Sequence, residues 1–128
     1  MMRTEGMTLL EMLAIIIIIG ILAAIALPNF APVREKVLDK EANASLKLIQ
    51  AAEKIYRLET DFYYPYSGTD TSITNINSNL KLNLSEDKWD YATKSTGCGQ
   101  AIRVTDATRQ WNLPINDADG EPDSGTCP

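Results

Sequence analysis

The stretch Met7-Thr8-Leu9-Leu10-Glu11-Met12-Leu13-Ala14-Ile15-Ile16-Ile17-Ile18-Ile19-Gly20-Ile21-Leu22-Ala23-Ala24-Ile25-Ala26-Leu27 holds 18 hydrophobic residues in 21. Wound as a helix it spans about 31 Å, close to the thickness of one hydrocarbon core. A secretory signal peptide has a shorter apolar region with a small-residue cleavage site behind it. Here the run is longer, and the one processing-like residue, Gly6, stands in front of it. Arg3 is a positive-inside cue that puts the N-terminus in the cytoplasm and the remainder of the chain outside it.

The rest of the chain has a different character. Residues 28–128 hold 37 hydrophobic residues in 101, enough for the core of one domain. The 128 residues contain no His, so a His-containing triad and a His-ligated zinc site are excluded. The two Cys cannot supply a four-thiolate site within one chain, but they can form one disulfide. The net charge of −5 is unevenly placed. Residues 1–6 are neutral, Glu11 contributes −1, residues 28–59 contribute +1 and residues 60–128 contribute −5.

Glu11 is the anomaly of the apolar segment. A lone charge near a bilayer centre costs roughly 2.5–3.5 kcal/mol on insertion scales and less near the interface. Either Glu11 lies close enough to the headgroups to stay wet, or a group on another chain pairs with it. If the Gly6–Met7 bond is cleaved, Met7 carries a new α-amino group one helical turn from this carboxylate, in its own or a neighbouring subunit.

Gly6-Met7-Thr8-Leu9-Leu10-Glu11, the apolar run with Gly20, and Ala26-Leu27-Pro28 together resemble the class III signal and N-terminal helix of the type IV pilins and related pseudopilins. The family usually has Phe directly after the scissile Gly. Met7 departs from that, and Met is also tolerated there. The resemblance implies cleavage after Gly6 by a prepilin peptidase and N-methylation of Met7. It further implies storage in the inner membrane and assembly of the helices into a filament core by a cytoplasmic ATPase-driven machine. An Ile-, Leu- and Ala-rich helix is equally at home in lipid and against copies of itself. Glu11 would then enforce register, because a shifted copy would leave it buried and unpaired. Gly20 and Pro28 loosen the backbone ladder locally. The plain reading of Pro28 is a kink at the membrane exit, and the family reading is a segment able to melt or stretch in a fibre.

After Pro28 the periodicity becomes amphipathic. Phe30, Val33, Val37, Ala44, Leu48, Ala52, Ile55 and Tyr56 recur at helical spacing and are the expected core stripe. Domain boundaries follow: a leader over 1–6, a transmembrane or filament-core helix over 7–28, its amphipathic continuation over 29–59, and a head over 60–128. Residues 60–87 read as a polar connector, in which Pro65 and Gly68 stop the helix and Leu80, Leu82 and Leu84 form an edge strand or a packed loop. The cluster Phe62-Tyr63-Tyr64-Pro65-Tyr66 either anchors the connector on its own helix or offers a binding surface. Residues 88–115 alternate with period two and predict three antiparallel strands, with Ile102 and Val104 on one face, Asp106-Ala107-Thr108 as a hairpin connection and Pro114 at an edge or end. The fold class expected is α+β: a long N-terminal helix, its hydrophobic half protruding, packed on a small antiparallel sheet.

With the head outside the cytoplasm, Cys98 and Cys127 read as a disulfide worth roughly 3–4 kcal/mol, and two free thiols are the alternative. By the resemblance, such a C-terminal loop is common in pilins and less so in major pseudopilins. Asp117, Asp119, Glu121 and Asp123 place carboxylates at every second residue, as calcium loops do, but Gly120 and the missing closing Glu break the twelve-residue pattern. A solvated acidic turn is the other reading, and no other cofactor is expected.

The function expected is a structural subunit, the major pilin of a type IV pilus, forming a homo-oligomeric helical filament with the prepilin peptidase and assembly machinery as partners. A pseudopilin of a type II secretion or competence pseudopilus is the alternative. An enzyme anchored by the same segment has no motif to support it. Direct nucleic-acid binding is not expected, since residues 60–128 carry ten acidic and five basic side chains.

Overall fold

The computed structural model describes residues 6–26, 30–116 and 120–128, in two compact units, Met1–Arg34 and Glu35–Pro128. The first unit contains helix α1, Leu9–Ala26. Helix α2 runs over Ala31–Thr60. It is followed by β1 (Thr69–Asp70), α3 (Ile73–Leu80), β2 (Trp89–Lys94), β3 (Cys98–Arg103) and β4 (Asp106–Pro114). The four strands form one sheet in the order β1-β2-β3-β4, antiparallel throughout. Strand β4 lies at the sheet edge and ends at Pro114, and the next residue, Ile115, still donates its N–H to the Gly97 carbonyl at 2.8 Å.

The core of the second unit lies between α2 and the sheet. Ala42, Leu46, Ile49 and Ala52 of α2 meet Ile76 and Leu80 of α3 and Trp89, Tyr91, Ala101 and Leu113 of the strands. This is an α+β fold, as expected, but the buried stripe of α2 differs from the expected one. Val37, Leu48 and Ile55 are exposed, and Ala52 and Tyr56 are the members of the expected set that join the core. The helix carries two apolar rows on different faces. The row 38-42-46-49-53-56 faces the core, and polar groups on it and beside it are hydrogen-bonded there. Gln50 beside it donates through Nε2 to the Pro114 carbonyl at 3.2 Å, and Glu53 Oε2 accepts the Tyr64 N–H at 2.9 Å.

Strand β3 is likewise turned over relative to the sequence reading. Ala101 and Arg103 are buried, while Ile102 is half-buried and Val104 sits exposed in the turn. The cause is the close approach of the helix. A Cβ added at Gly99 would lie 3.2 Å from Ile49 and 3.3 Å from Leu46, so only small residues fit beneath α2. The β3–β4 turn falls at Val104 and Thr105 instead of Asp106–Thr108, after a register shift between Ile102 and Arg103. Asp106 opens β4, and its Oδ1 accepts the Thr108 N–H at 3.0 Å.

The connector is more ordered than its polar composition suggests. Ser72 caps α3 by accepting the Asn75 N–H, and Lys81 ends it in the left-handed region at φ 56°. Leu80 is buried, and Leu82 and Leu84 form a packed loop. Asn77 holds that loop with two 2.8 Å bonds to Leu84, donating through Nδ2 to its carbonyl and accepting its N–H through Oδ1. The aromatic cluster anchors: Tyr56 meets Phe62 and Tyr64 edge-on at 6.1 and 5.7 Å.

Candidate assembly site

Helix α1 begins with a local signal in the sequence. Thr8 precedes the helix, its Oγ1 accepts the Glu11 N–H at 3.3 Å, and its carbonyl accepts the Met12 N–H at 3.2 Å. Thr8-Leu9-Leu10-Glu11 therefore has the spacing of a capping box, with the Glu at the third helical position. Sequence reasoning weighed Glu11 as a wet charge near the headgroups or as one paired across chains, and missed this role. A carboxylate in the first turn also complements the positive end of the helix. The Glu11 side chain remains exposed and can meet a group from another chain.

Gly6 and Met7 lie ahead of the helix, exposed and outside regular secondary structure. A protease needs its scissile bond outside helix and sheet, and the Gly6–Met7 peptide meets that requirement. No residue of α1 is buried within the chain. The segment is long and apolar enough to cross a membrane. Gly20 lies within α1, and a Cβ built there meets nothing within 4 Å. The side chains of this helix thus have no cover of their own. Pro28 lies outside the described residues.

The head is tied together at both ends of its sheet. Cys98 and Cys127 are bonded, with Cα atoms 5.8 Å apart, tying the C-terminal segment to the start of β3. Asn112 and Asp123 exchange backbone hydrogen bonds at 2.8 and 2.9 Å, which adds a second tether. At the other end of the sheet, Arg109 Nε donates to Asp39 Oδ1 at 2.9 Å and its Nη1 lies 3.4 Å from Glu35. Trp111 Nε1 also donates to Asp39, and the Arg109 guanidinium holds the Asp39 carboxyl below its ordinary pKa. Arg103, almost fully buried, reaches Glu35 at 3.8 Å and lies 5.4 Å from the Trp89 ring centroid. These pairs fix the β3–β4 end of the sheet on α2.

Of the acidic turn, Asp117 and Asp119 lie outside the described residues. Glu121 pairs with Lys47 Nζ at 2.7 Å, and Asp123 Oδ1 accepts the Gly125 N–H at 2.8 Å. Among the described residues no group of three or more Cys, Asp or Glu side chains is placed to hold a metal. Glu53 is the one fully buried carboxyl group among the described residues. Burial raises its pKa to about 7, while the Tyr64 N–H acts the other way.

Comparison with known proteins places these features. Over 65 residues the chain is 40% identical to the type IV major pilin protein PilA of Myxococcus xanthus, covering 51% of this chain and 30% of that protein. Over 61 residues it is 34% identical to the type II secretion system core protein G of Aeromonas hydrophila, covering 48% and 43%. Over 80 residues it is 30% identical to the ComG operon protein 3 homolog of Bacillus licheniformis, covering 62% of this chain and 82% of that one. The chain thus spans less than half the length of the first two relatives and most of the third. No family model matches the chain, and no solved structure matches it.

Proposed function

Because the chain belongs to the type IV pilin and pseudopilin superfamily, we propose that it is a structural filament subunit, the major pilin of a type IV pilus, rather than an enzyme. The observation that carries this is α1, which is apolar on every side with no residue buried in its own chain. Such a helix is stable only in lipid or against other copies, and transfer between the two conserves apolar burial. The subunit waits in the inner membrane through α1. Prepilin peptidase cuts the exposed Gly6–Met7 bond, Met7 is N-methylated, and the assembly machinery draws the subunit into a helical homopolymer.

In that polymer Glu11 meets the Met7 ammonium of a neighbour. A copy at the wrong axial position would bury the carboxylate unpaired, so the pair selects register. Gly20 permits close approach between helices, since no side chain stands off the neighbour there. Pro28 interrupts the backbone ladder by its chemistry alone and gives a point where the chain can extend. The head stays outside the filament core, and the Cys98–Cys127 bond suits an oxidising exterior. The same bond favours a surface pilus over a secretion pseudopilus, whose major subunits more often lack it. The proposed assembly calls on no cofactor.

Electron microscopy of material sheared from producing cells, with and without this gene, tests the reading. Gene-dependent surface fibres that contain the chain are the expected result. Their absence together with a secretion defect would select the pseudopilus.

A further inference from the structure

A polar cavity of about 450 Å3 opens at the C-terminal end of α2, lined by Lys54, Arg57, Leu58, Asp61, Tyr63 and Asn116. That volume falls within the range of small-molecule sites. The cavity follows from the way the helix ends. Asp61 takes the left-handed conformation at φ 67° and donates its N–H to the Arg57 carbonyl at 2.8 Å. The chain reverses there and brings Tyr63 against the last turn of α2.

Tyr63 is held by three parts of the head. The guanidinium carbon of Arg57 lies 4.7 Å from its ring centroid, and Arg57 Nη1 donates to its hydroxyl. That hydroxyl donates in turn to Asn116 Oδ1 at 2.9 Å. In the β2–β3 turn, a Cβ added at Gly97 would stand 2.7 Å from the same ring, so the close approach requires glycine. Arg57 is thereby oriented without a carboxylate. Arg57 and Lys54, one turn earlier, enter no ion pair among the described residues. Asn116 has its oxygen engaged and its Nδ2 free to donate. A cation that only packed on a tyrosine would need neither a second cation beside it nor a cavity in front of it.

We propose that this cavity binds a carboxylate-bearing sugar unit, a uronic acid residue of a polysaccharide. The carboxylate takes Arg57 and Lys54, and the planar guanidinium suits its two oxygens. The ring hydroxyls donate to Asp61 and accept from Asn116 Nδ2. Asp61 supplies the selection. With Lys54 and Arg57 it leaves the site one net positive charge, matched to a monoanion and not to a phosphate dianion, and its own oxygens call for hydroxyl donors. The cavity belongs to the head alone, so the recognition role is independent of which filament the subunit builds.

The test is a titration of isotope-labelled full-length chain in non-ionic detergent micelles with sodium D-glucuronate at constant ionic strength. The NMR signals of the Arg57 and Asn116 side chains report binding, and D-glucose and inorganic phosphate are titrated alongside. Glucuronate should shift both signals to saturation, with glucose and phosphate at least about tenfold weaker. Arg57→Gln should weaken glucuronate binding at least about tenfold. Tyr63→Phe, which keeps the ring and removes the hydroxyl that orients Arg57, should also weaken it, while the signals of Ile49 and Leu113 in the core stay in place. Phosphate binding as tightly as glucuronate would reduce the cavity to a general anion site, and glucose binding as tightly would remove the part given to the carboxylate. Either result, or the absence of saturation by glucuronate, would overturn the proposal. Asp117 and Asp119 follow Asn116 in the sequence. Saturation by glucuronate in the D117N/D119N variant alone would make the chain's own acidic turn the occupant and would equally overturn it.

Discussion

Helix α1 and helix α2 are built from the same backbone and solve opposite problems. The first has no buried residue among its 18, whereas the second buries Ala42, Leu46 and Ile49 completely. A helix covered by its own sheet folds on the free energy of one chain. A helix with no cover takes its stability from whatever surrounds it, so its neighbours decide its state. The difference separates folding from assembly in the sequence: substitutions in the core row of α2 act on stability, and substitutions in α1 act on association.

The sharpest test of that separation is Glu11→Ala. Membrane insertion should persist, head stability should be unchanged, and assembly should fall by at least about tenfold as register is lost. Filament yield from cells expressing the variant measures it, and normal yield would break the pairing account. Next come substitutions that should act on the head. Leu46→Ala removes a fully buried side chain and should cost about 2–5 kcal/mol in chemical denaturation, whereas Ile55→Ala on the exposed face should stay within about 0.5 kcal/mol. Equal effects of the two would show that the faces of α2 have been assigned wrongly. Cys127→Ser, which opens the disulfide, should lower stability by about 3–4 kcal/mol on the chain-entropy account, read as a shift in the denaturation midpoint.

A smaller effect depends on pH. The pKa of Glu53 is raised from 4.5 to about 7, so the folded head holds a proton that the unfolded chain has released in this interval. That contribution is fully present below pH 4.5 and is lost as pH rises through about 7. It amounts to about 3 kcal/mol at most, less where water reaches the site. Glu53→Gln should flatten the fall in stability between pH 4.5 and 7. A parent and a variant with parallel stability profiles over this range would contradict the assignment.

The apolar run, the residues before it and the α+β class are legible in the sequence because each has a strong local signature: length, spacing or period. The wrong choice of core face on α2 has a physical origin. Two apolar rows compete there, and the exposed one holds the larger count of plainly hydrophobic residues. The buried row includes Glu53, held by the Tyr64 N–H, and lies beside Gln50, whose partner Pro114 comes from far along the chain. Strand β3 misleads for a related reason, since the close helix demands Gly99 and Ala101 inside and leaves Ile102 to the other face. Helix α3 is hidden by Asn and Ser, which disfavour helix interiors but make good caps. The capping box at Thr8 and Glu11 is visible in the spacing, but the unusual charge of Glu11 in an apolar run draws the reading toward a distant partner and away from the local one.

The measurement closest to the central claim is the intact mass of this chain in sheared surface fibres, with sequencing of its N-terminus. The account predicts a subunit that begins at Met7, carries one added methyl group on its α-amine and retains the Cys98–Cys127 bond. A chain in the fibres that begins at Met1, or fibres without this chain, would contradict it.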